Sequence, residues 1–85
     1  YSLQNLTVYP NPSNDVFNIS FTSDEVQDLK MRVINMIGEE IIIEDLNQFI
    51  GEYTQQIDLK QYNKGIYFLE IETTNDIINK KLILQ

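Results

Sequence analysis

The sequence contains no cysteine and no histidine. Without cysteine the chain has no disulfide, no thiolate zinc site and no thiol nucleophile. Without histidine it lacks the imidazole general base of the common catalytic triads. Only carboxylates are left for acid–base chemistry, and nothing in the sequence indicates a cleft around them. We therefore expect neither an enzyme nor a bound cofactor.

Basic residues and long apolar runs are also scarce. Thirteen acidic residues stand against six basic ones, which gives a net charge of −7. Phosphate binding requires a basic stripe, which this chain does not have. No segment reaches the ~20 apolar residues that a membrane helix needs. We therefore expect neither a nucleic-acid partner nor insertion into a membrane.

What the chain does have is the composition of a small folded domain. It has 85 residues, of which 42% are hydrophobic, with five Tyr and four Phe. That length allows one domain, residues 1–85, with a modest core. Because the first residue is Tyr rather than Met, we expect the domain to be excised from a larger protein.

The dominant pattern is an alternation of apolar and polar residues, which is typical of half-buried strands. In "VFNISF", for example, Phe17, Ile19 and Phe21 share one face. Clusters of turn residues separate the alternating runs. The predicted strands are 6–9, 16–22, 28–36, 40–45, 52–59, 66–73 and 77–84. Their spacing favours an all-β, antiparallel sandwich. A helix is the alternative only around 44–50 and 58–64, and the second of these segments could hold one helical turn closed by a left-handed Gly65.

The two prolines of the chain, Pro10 and Pro12, lie between the first two predicted strands. Proline cannot donate to a sheet ladder and pushes the preceding residue towards an extended conformation. Ser13, Asn14 and Asp15 can then turn the chain through local hydrogen bonds. We expect a rigid corner that sends the two flanking strands to different places, even to different sheets.

Four segments occur in a characteristic order: "VYPNPSNDVFNISF", "VINMIGEEI", "IDLKQYNKGIYFLEI" and "NKKLILQ". Together they resemble the type A C-terminal sorting domain of the type IX (Por) secretion system of Bacteroidota. The resemblance runs from about Leu6 to Gln85. The matching positions are Tyr9, Pro10, Asn11, Pro12, Gly38, Gly65, Tyr67, Lys80, Lys81, Leu82, Leu84 and Gln85.

Two positions depart from the family pattern. Asn14 and Asp15 replace a glycine that often follows the second proline, and these residues can also turn the chain. Asn35 replaces an aspartate that usually precedes the hairpin glycine. An asparagine can make the same local hydrogen bonds to the backbone without the charge.

The resemblance implies a seven-stranded, immunoglobulin-like β-sandwich that serves as a secretion address at the end of an unrelated cargo domain. It implies recognition by the type IX translocon and its shuttle proteins. It also implies removal by a sortase-like signal peptidase, which attaches the cargo to surface lipopolysaccharide. Such a protein passes through the periplasm and ends at the cell surface or outside the cell.

The same residues also have local interpretations. Gly38 lies in "MIGEE", where a tight hairpin needs a positive φ. Tyr67 begins the inward face of its strand, so its ring can pack while its hydroxyl finds a partner nearby. Leu82 and Leu84 share one face of the last predicted strand. The lysines Lys80 and Lys81 fall on opposite faces. They can prevent pairing at a sheet edge, contact a receptor, or do both. A free edge at 80–85 would also offer backbone groups for strand addition.

Three further patterns stay open from the sequence alone. Asp24, Glu25 and Asp28 supply oxygen ligands for calcium, without the spacing of a known calcium loop. Glu70 and Glu72 share a strand face, for which a solvated surface is the simpler interpretation. Aromatic residues at positions 9, 49, 53 and 62 could line a sugar-binding surface, which would make the chain an accessory immunoglobulin- or fibronectin-like carbohydrate- or protein-binding module. Core packing is the simpler explanation for them.

Overall fold

The structure is a computed structural model that describes residues 3–85. In it, antiparallel strands joined by turns make up the fold. The described strands are β1 (Leu3–Tyr9), β2 (Val16–Ile34), β3 (Glu40–Asp58), β4 (Gly65–Glu72) and β5 (Ile77–Leu84). Their order in the sheet is β1-β2-β4-β5, with β3 along the other side of β2. Residues 3–85 include no helix that is long and apolar enough to cross a bilayer. The predicted all-β, antiparallel class is confirmed.

Strands β2 and β3 are too long to be straight. Each has 19 residues, which at roughly 3.3 Å per residue would span about 63 Å. The longest dimension of the molecule is only 36 Å. The ladder between the two strands shifts register between Ser23 and Gln27, and bulges of this kind bend a strand. The sheet therefore folds over at this point.

The bend explains why the structure has five strands where seven were predicted. The predicted strands 16–22 and 28–36 are the two halves of β2, and 40–45 and 52–59 are the two halves of β3. The polar stretch between the first pair reads as a loop in the sequence. In the structure it belongs to β2. At the register shift, Gln27 donates through Nε2 to Ser23 Oγ at 2.8 Å and Ser23 Oγ donates to the Glu25 carbonyl at 2.7 Å.

The core cluster draws on both halves of β2, and the predicted alternation supplies it. The first half of β2 contributes Phe17, Ile19 and Phe21, and the second half contributes Leu29, Met31 and Val33. Strands β4 and β5 add Tyr67, Leu69, Ile71, Leu82 and Leu84. A fully buried side chain of this size stabilises the fold by about 1.5–3 kcal/mol. The shared face predicted for Leu82 and Leu84 is confirmed, and it is the buried face.

The corner at Pro10 and Pro12 does not separate its flanking strands. Strands β1 and β2 are antiparallel neighbours, with Tyr9 opposite Asn18. The expectation that the corner sends them to different places is wrong. The Asn18 side chain donates to the Tyr9 carbonyl at 3.2 Å, which holds the two strand ends together. The Tyr9–Pro10 and Asn11–Pro12 peptide bonds are both cis.

Residues 44–50 belong to β3, so the helical alternative for this segment is wrong. The helical turn considered near 58–64 is a single hydrogen-bonded turn. The Tyr62 amide donates to the Leu59 carbonyl at 3.0 Å. Gly65 follows with a φ of +150°, a backbone conformation that L side chains rarely adopt. This segment delivers the chain into β4 directly opposite the end of β5.

Candidate recognition site: the proline corner and the closing strand

The Pro-Asn-Pro corner lies against the outer edge of β5. The Asn11 side chain donates through Nδ2 to the Lys81 carbonyl at 2.7 Å and accepts at Oδ1 from the Ile83 amide at 3.0 Å. One carboxamide thus offers β5 a donor and an acceptor, as a peptide group of a neighbouring strand would. Asn11 therefore substitutes for a strand at this position.

The backbone of Ser13 continues the same pairing. Its amide donates to the Ile83 carbonyl at 3.0 Å, and its carbonyl accepts from the Gln85 amide at 2.8 Å. Ser13 is buried, and its hydroxyl donates to the Val16 carbonyl at 2.5 Å. Each such bond contributes about 1 kcal/mol. We call the contacts of Asn11 and Ser13 with residues 81–85 the corner latch.

The corner latch covers an edge that the sequence predicted to be free. The outward backbone groups of Ile83 and Gln85 and the carbonyl of Lys81 are all bonded to Asn11 or Ser13. The expectation that the edge 80–85 offers open backbone groups is therefore wrong for most of its length. A receptor that added a strand there would first have to displace the corner.

The two lysines of β5 point to opposite sides of the sheet, as predicted. Lys81 lies opposite Phe68, and Lys80 lies opposite the buried Leu69. Both lysines are exposed. Within residues 3–85, no lysine has a carboxylate within ion-pair distance. The domain is acidic overall, yet it presents these two positive charges uncompensated.

The hairpin between β2 and β3 has the predicted chemistry. Gly38 has a φ of +85°. The Asn35 side-chain oxygen accepts from the Ile37 amide at 3.1 Å and from the Glu39 amide at 2.9 Å. The prediction that Asn35 can make local hydrogen bonds to the backbone without a charge is confirmed.

Tyr67 is a core residue with a satisfied hydroxyl, as predicted. Its ring is buried and its hydroxyl donates to the Asn63 carbonyl at 2.5 Å. The neighbouring Lys64 donates through Nζ to the Asn14 carbonyl at 2.6 Å. This contact ties the loop before β4 to the proline corner.

Most of the candidate residues therefore meet at one end of the molecule. Gly65 lies opposite Leu84, and residues 35–37 of the hairpin line a shallow groove with residues 63–67. Tyr9 differs from Tyr67, because its side chain is exposed and no described hydrogen bond involves its hydroxyl. The sequence did not predict that Ser13 pairs with the closing strand. Its hydroxyl indicated only a local turn, whereas the pairing uses its backbone.

Comparison with known proteins identifies the family to which this chain belongs. Residues 7–85 match the family described as the secretion system C-terminal sorting domain. The chain belongs to this family. The sorting domain is a signal for type IX secretion, and the family consists of such signals rather than of catalysts.

One curated relative fits the same assignment. The sorting domain is 37% identical over 82 residues to β-agarase D of Zobellia galactanivorans, and the match covers 95% of this chain and 15% of that protein. The chain thus spans only a small part of this relative. Family and relative together imply export to the cell surface or the extracellular space.

The sorting domain carries an ionic cluster that the sequence did not reveal. Arg32 donates through Nε to Glu70 at 2.8 Å and also pairs with Glu40 and Glu72, each at 3.3 Å. The hydrogen bond to Glu70 is the main cause that raises the pKa of the guanidinium. Glu70 and Glu72 do share a face, but they neutralise Arg32 and are not simply solvated. Glu70 and Glu72 are 38 and 40 residues away from Arg32 in the chain, so no local sequence pattern predicts these ion pairs.

Two of the four aromatic residues that could line a sugar-binding surface, Phe49 and Tyr53, pack against Phe21 instead. Phe21 stacks on Tyr53 with ring centroids 4.9 Å apart, and Phe49 packs edge-on against both. Burial, together with the hydrogen bond from its hydroxyl to Glu44, raises the pKa of Tyr53. Packing is therefore the correct interpretation for positions 49 and 53.

The acidic loop expected as a weak calcium candidate is engaged in hydrogen bonds. Asp28 accepts from the Gln48 amide at 2.8 Å, and Asp24 accepts from the Gln4 side chain at 2.5 Å. Residues 3–85 contain no group of three acidic side chains that could hold a metal ion. Asp24 instead joins β2 to β1, and Asp28 joins β2 to β3.

Proposed function

We propose that this chain is a non-catalytic address that follows a cargo domain in a longer exported protein. The type IX translocon and its shuttle proteins recognise the folded domain in the periplasm and pass the protein across the outer membrane. A sortase-like signal peptidase then removes the domain and attaches the cargo to surface lipopolysaccharide. The family match over residues 7–85 is the observation that carries this proposal.

The fold supports an address that is read as a surface rather than as a linear string. The corner latch joins residues 11–13 to residues 81–85, so both family signatures have one fixed geometry. A receptor that meets the folded domain finds these segments already arranged. Binding then costs less ordering entropy than the capture of a disordered tail.

A fusion protein tests recognition. Residues 1–85 are placed after a fluorescent cargo and expressed in a bacterium with the type IX system and in an isogenic strain without its translocon. We expect surface or extracellular fluorescence in the first strain only. A second fusion that lacks residues 80–85 loses Leu82, Leu84 and the latch partners, and we expect it to stay inside. Equal export in both strains would reject the proposal.

The exported cargo tests cleavage and attachment. Removal of the domain would lower the mass of the fusion by about its own 10.0 kDa, and attachment to lipopolysaccharide would then add a heterogeneous increment. We expect both changes on electrophoresis of the surface fraction. Surface cargo that still carries the intact domain would contradict the peptidase step and leave the export step standing.

We also propose that the fold corresponds to the seven-stranded immunoglobulin-like sandwich implied by the resemblance, with each half of β2 and β3 counted as a strand. The hydroxyl of Tyr67 supports this proposal, because it bonds a backbone carbonyl a few residues upstream, as in the tyrosine corner of such domains. Amide hydrogen exchange tests it. Faster exchange near residues 24–26 than in either half of β2 is expected, and uniform protection along β2 would contradict the division.

A further inference from the structure

Four apolar side chains lie on the outer face of the sheet formed by the second half of β2, β4 and β5. Ile34 lies opposite Phe68, and Ile66 lies opposite Ile83. All four are partly exposed, and none belongs to the core or to the partly buried residues packed against it. We call these four residues the outer apolar patch.

Lys81 places a positive charge at the border of the outer apolar patch. It lies opposite Phe68 on the same face and is exposed. Glu70, the nearest acidic residue along β4 on this face, is already bonded to Arg32 at 2.8 Å. Lys81 therefore keeps its charge uncompensated in a protein of net charge −7.

The outer apolar patch continues around the end of the molecule. The hairpin tip exposes Met36 and Ile37, which are 65% and 80% accessible. Between this tip and Ile66 runs a shallow groove of about 250 Å³. Apolar surface that is contiguous and bordered by polar residues marks interaction sites on small proteins.

The corner latch leaves this face, rather than the adjoining edge, open to a partner. The edge of β5 from Lys81 to Gln85 is bonded to Asn11 and Ser13. We propose that the outer apolar patch docks on a protein of the export machinery whose surface presents aliphatic or aromatic side chains beside a carboxylate that meets Lys81. This inference rests on the proposed function and names the surface that the machinery reads.

Two matched pairs of substitutions in the fluorescent fusion test the inference. Ile83→Ser changes the outer apolar patch, whereas Ile77→Ser makes the same change on the same face of β5, at an exposed position far from it. Lys81→Glu reverses the charge beside the patch, whereas Lys80→Glu does so on the opposite face. We expect the first member of each pair to lower the rate of export about fivefold, and the second member to leave it unchanged.

The outcomes separate the two proposals. If the unchanged fusion is exported but both members of each pair behave alike, the docking surface is wrong and the sorting function stands. If the unchanged fusion is not exported in a competent strain, the proposed function fails and the docking surface falls with it. Thermal unfolding of the purified 85-residue variants controls for folding, and a loss of export that follows a loss of folding would count against docking.

Two other occupants of the patch give distinct results. A second copy of the chain would appear in analytical ultracentrifugation as a dimer that Ile83→Ser dissolves, which would overturn the inference. An upstream cargo domain would make the effect of Ile83→Ser depend on the cargo. We expect the same fivefold loss with two unrelated cargo proteins, and a loss confined to one of them would also overturn the inference.

Discussion

Asn11 and Ile83 are 72 residues apart in the chain, and the Ile83 amide donates to the Asn11 side-chain oxygen at 3.0 Å. The same carboxamide donates to the carbonyl of Lys81 at 2.7 Å. A single side chain thus acts as a short strand beside β5. These two bonds connect the Pro-Asn-Pro segment of the sorting domain to its last strand.

Asn11→Ala tests the strength of this latch. The change removes two hydrogen bonds to β5, so we expect the free energy of unfolding to fall by about 1–2 kcal/mol. Urea denaturation measures it. Asn14→Ala is the matched control, because Asn14 is exposed and contributes only its backbone carbonyl to a described bond. Equal stability of the two variants would show that the latch contributes nothing.

Arg32→Met tests the ionic cluster on the outer face. It leaves Glu40, Glu70 and Glu72 without their shared cation, and we expect a loss of about 1–3 kcal/mol in unfolding free energy. The loss should shrink in 1 M salt, because screening weakens the repulsion left among the three carboxylates. Lys30→Met, on the same face of the same strand, is the control. A loss no greater than that of the control would refute the role of the cluster.

Tyr53→Phe tests the buried hydroxyl bonded to Glu44. Because the fold raises the pKa of Tyr53, its contribution is fully present below the ordinary tyrosine pKa of about 10. It is lost as the pH rises from that value through the folded pKa. We therefore expect wild type to lose more stability than Tyr53→Phe above about pH 10, with the exposed Tyr62→Phe as control. Parallel stability curves for wild type and Tyr53→Phe would contradict this.

Gly38→Ala tests the hairpin. No atom lies within 4 Å of a Cβ built at this position, so the cost comes from the φ of +85° alone. We expect a loss of about 1–2 kcal/mol, measured by thermal unfolding. Gly38→Asn should cost less, because asparagine adopts a positive φ more readily. If alanine and asparagine cost the same, the backbone conformation does not determine the stability of this turn.

The sequence by itself determined the local features of the domain. Alternating apolar residues place Phe17, Leu69 and Leu82 in the core, because a strand sends successive side chains to opposite faces. The hairpin at Gly38 and the packed ring of Tyr67 likewise follow from residue type and immediate neighbours. The same sequence carried the ordered motifs by which the family is recognised.

Only the tertiary structure decided how these pieces join. The stretch around Ser23 and Gln27 is polar, which favours a loop, yet it continues a strand because β2 pairs with β3 on both sides of the bulge. The Asn11 bonds and the Arg32 cluster connect residues far apart in the chain, and their formation depends on which strands become neighbours. Local propensity carries no information about such pairings, so the covered edge of β5 and the open face beside it emerge only from the folded chain.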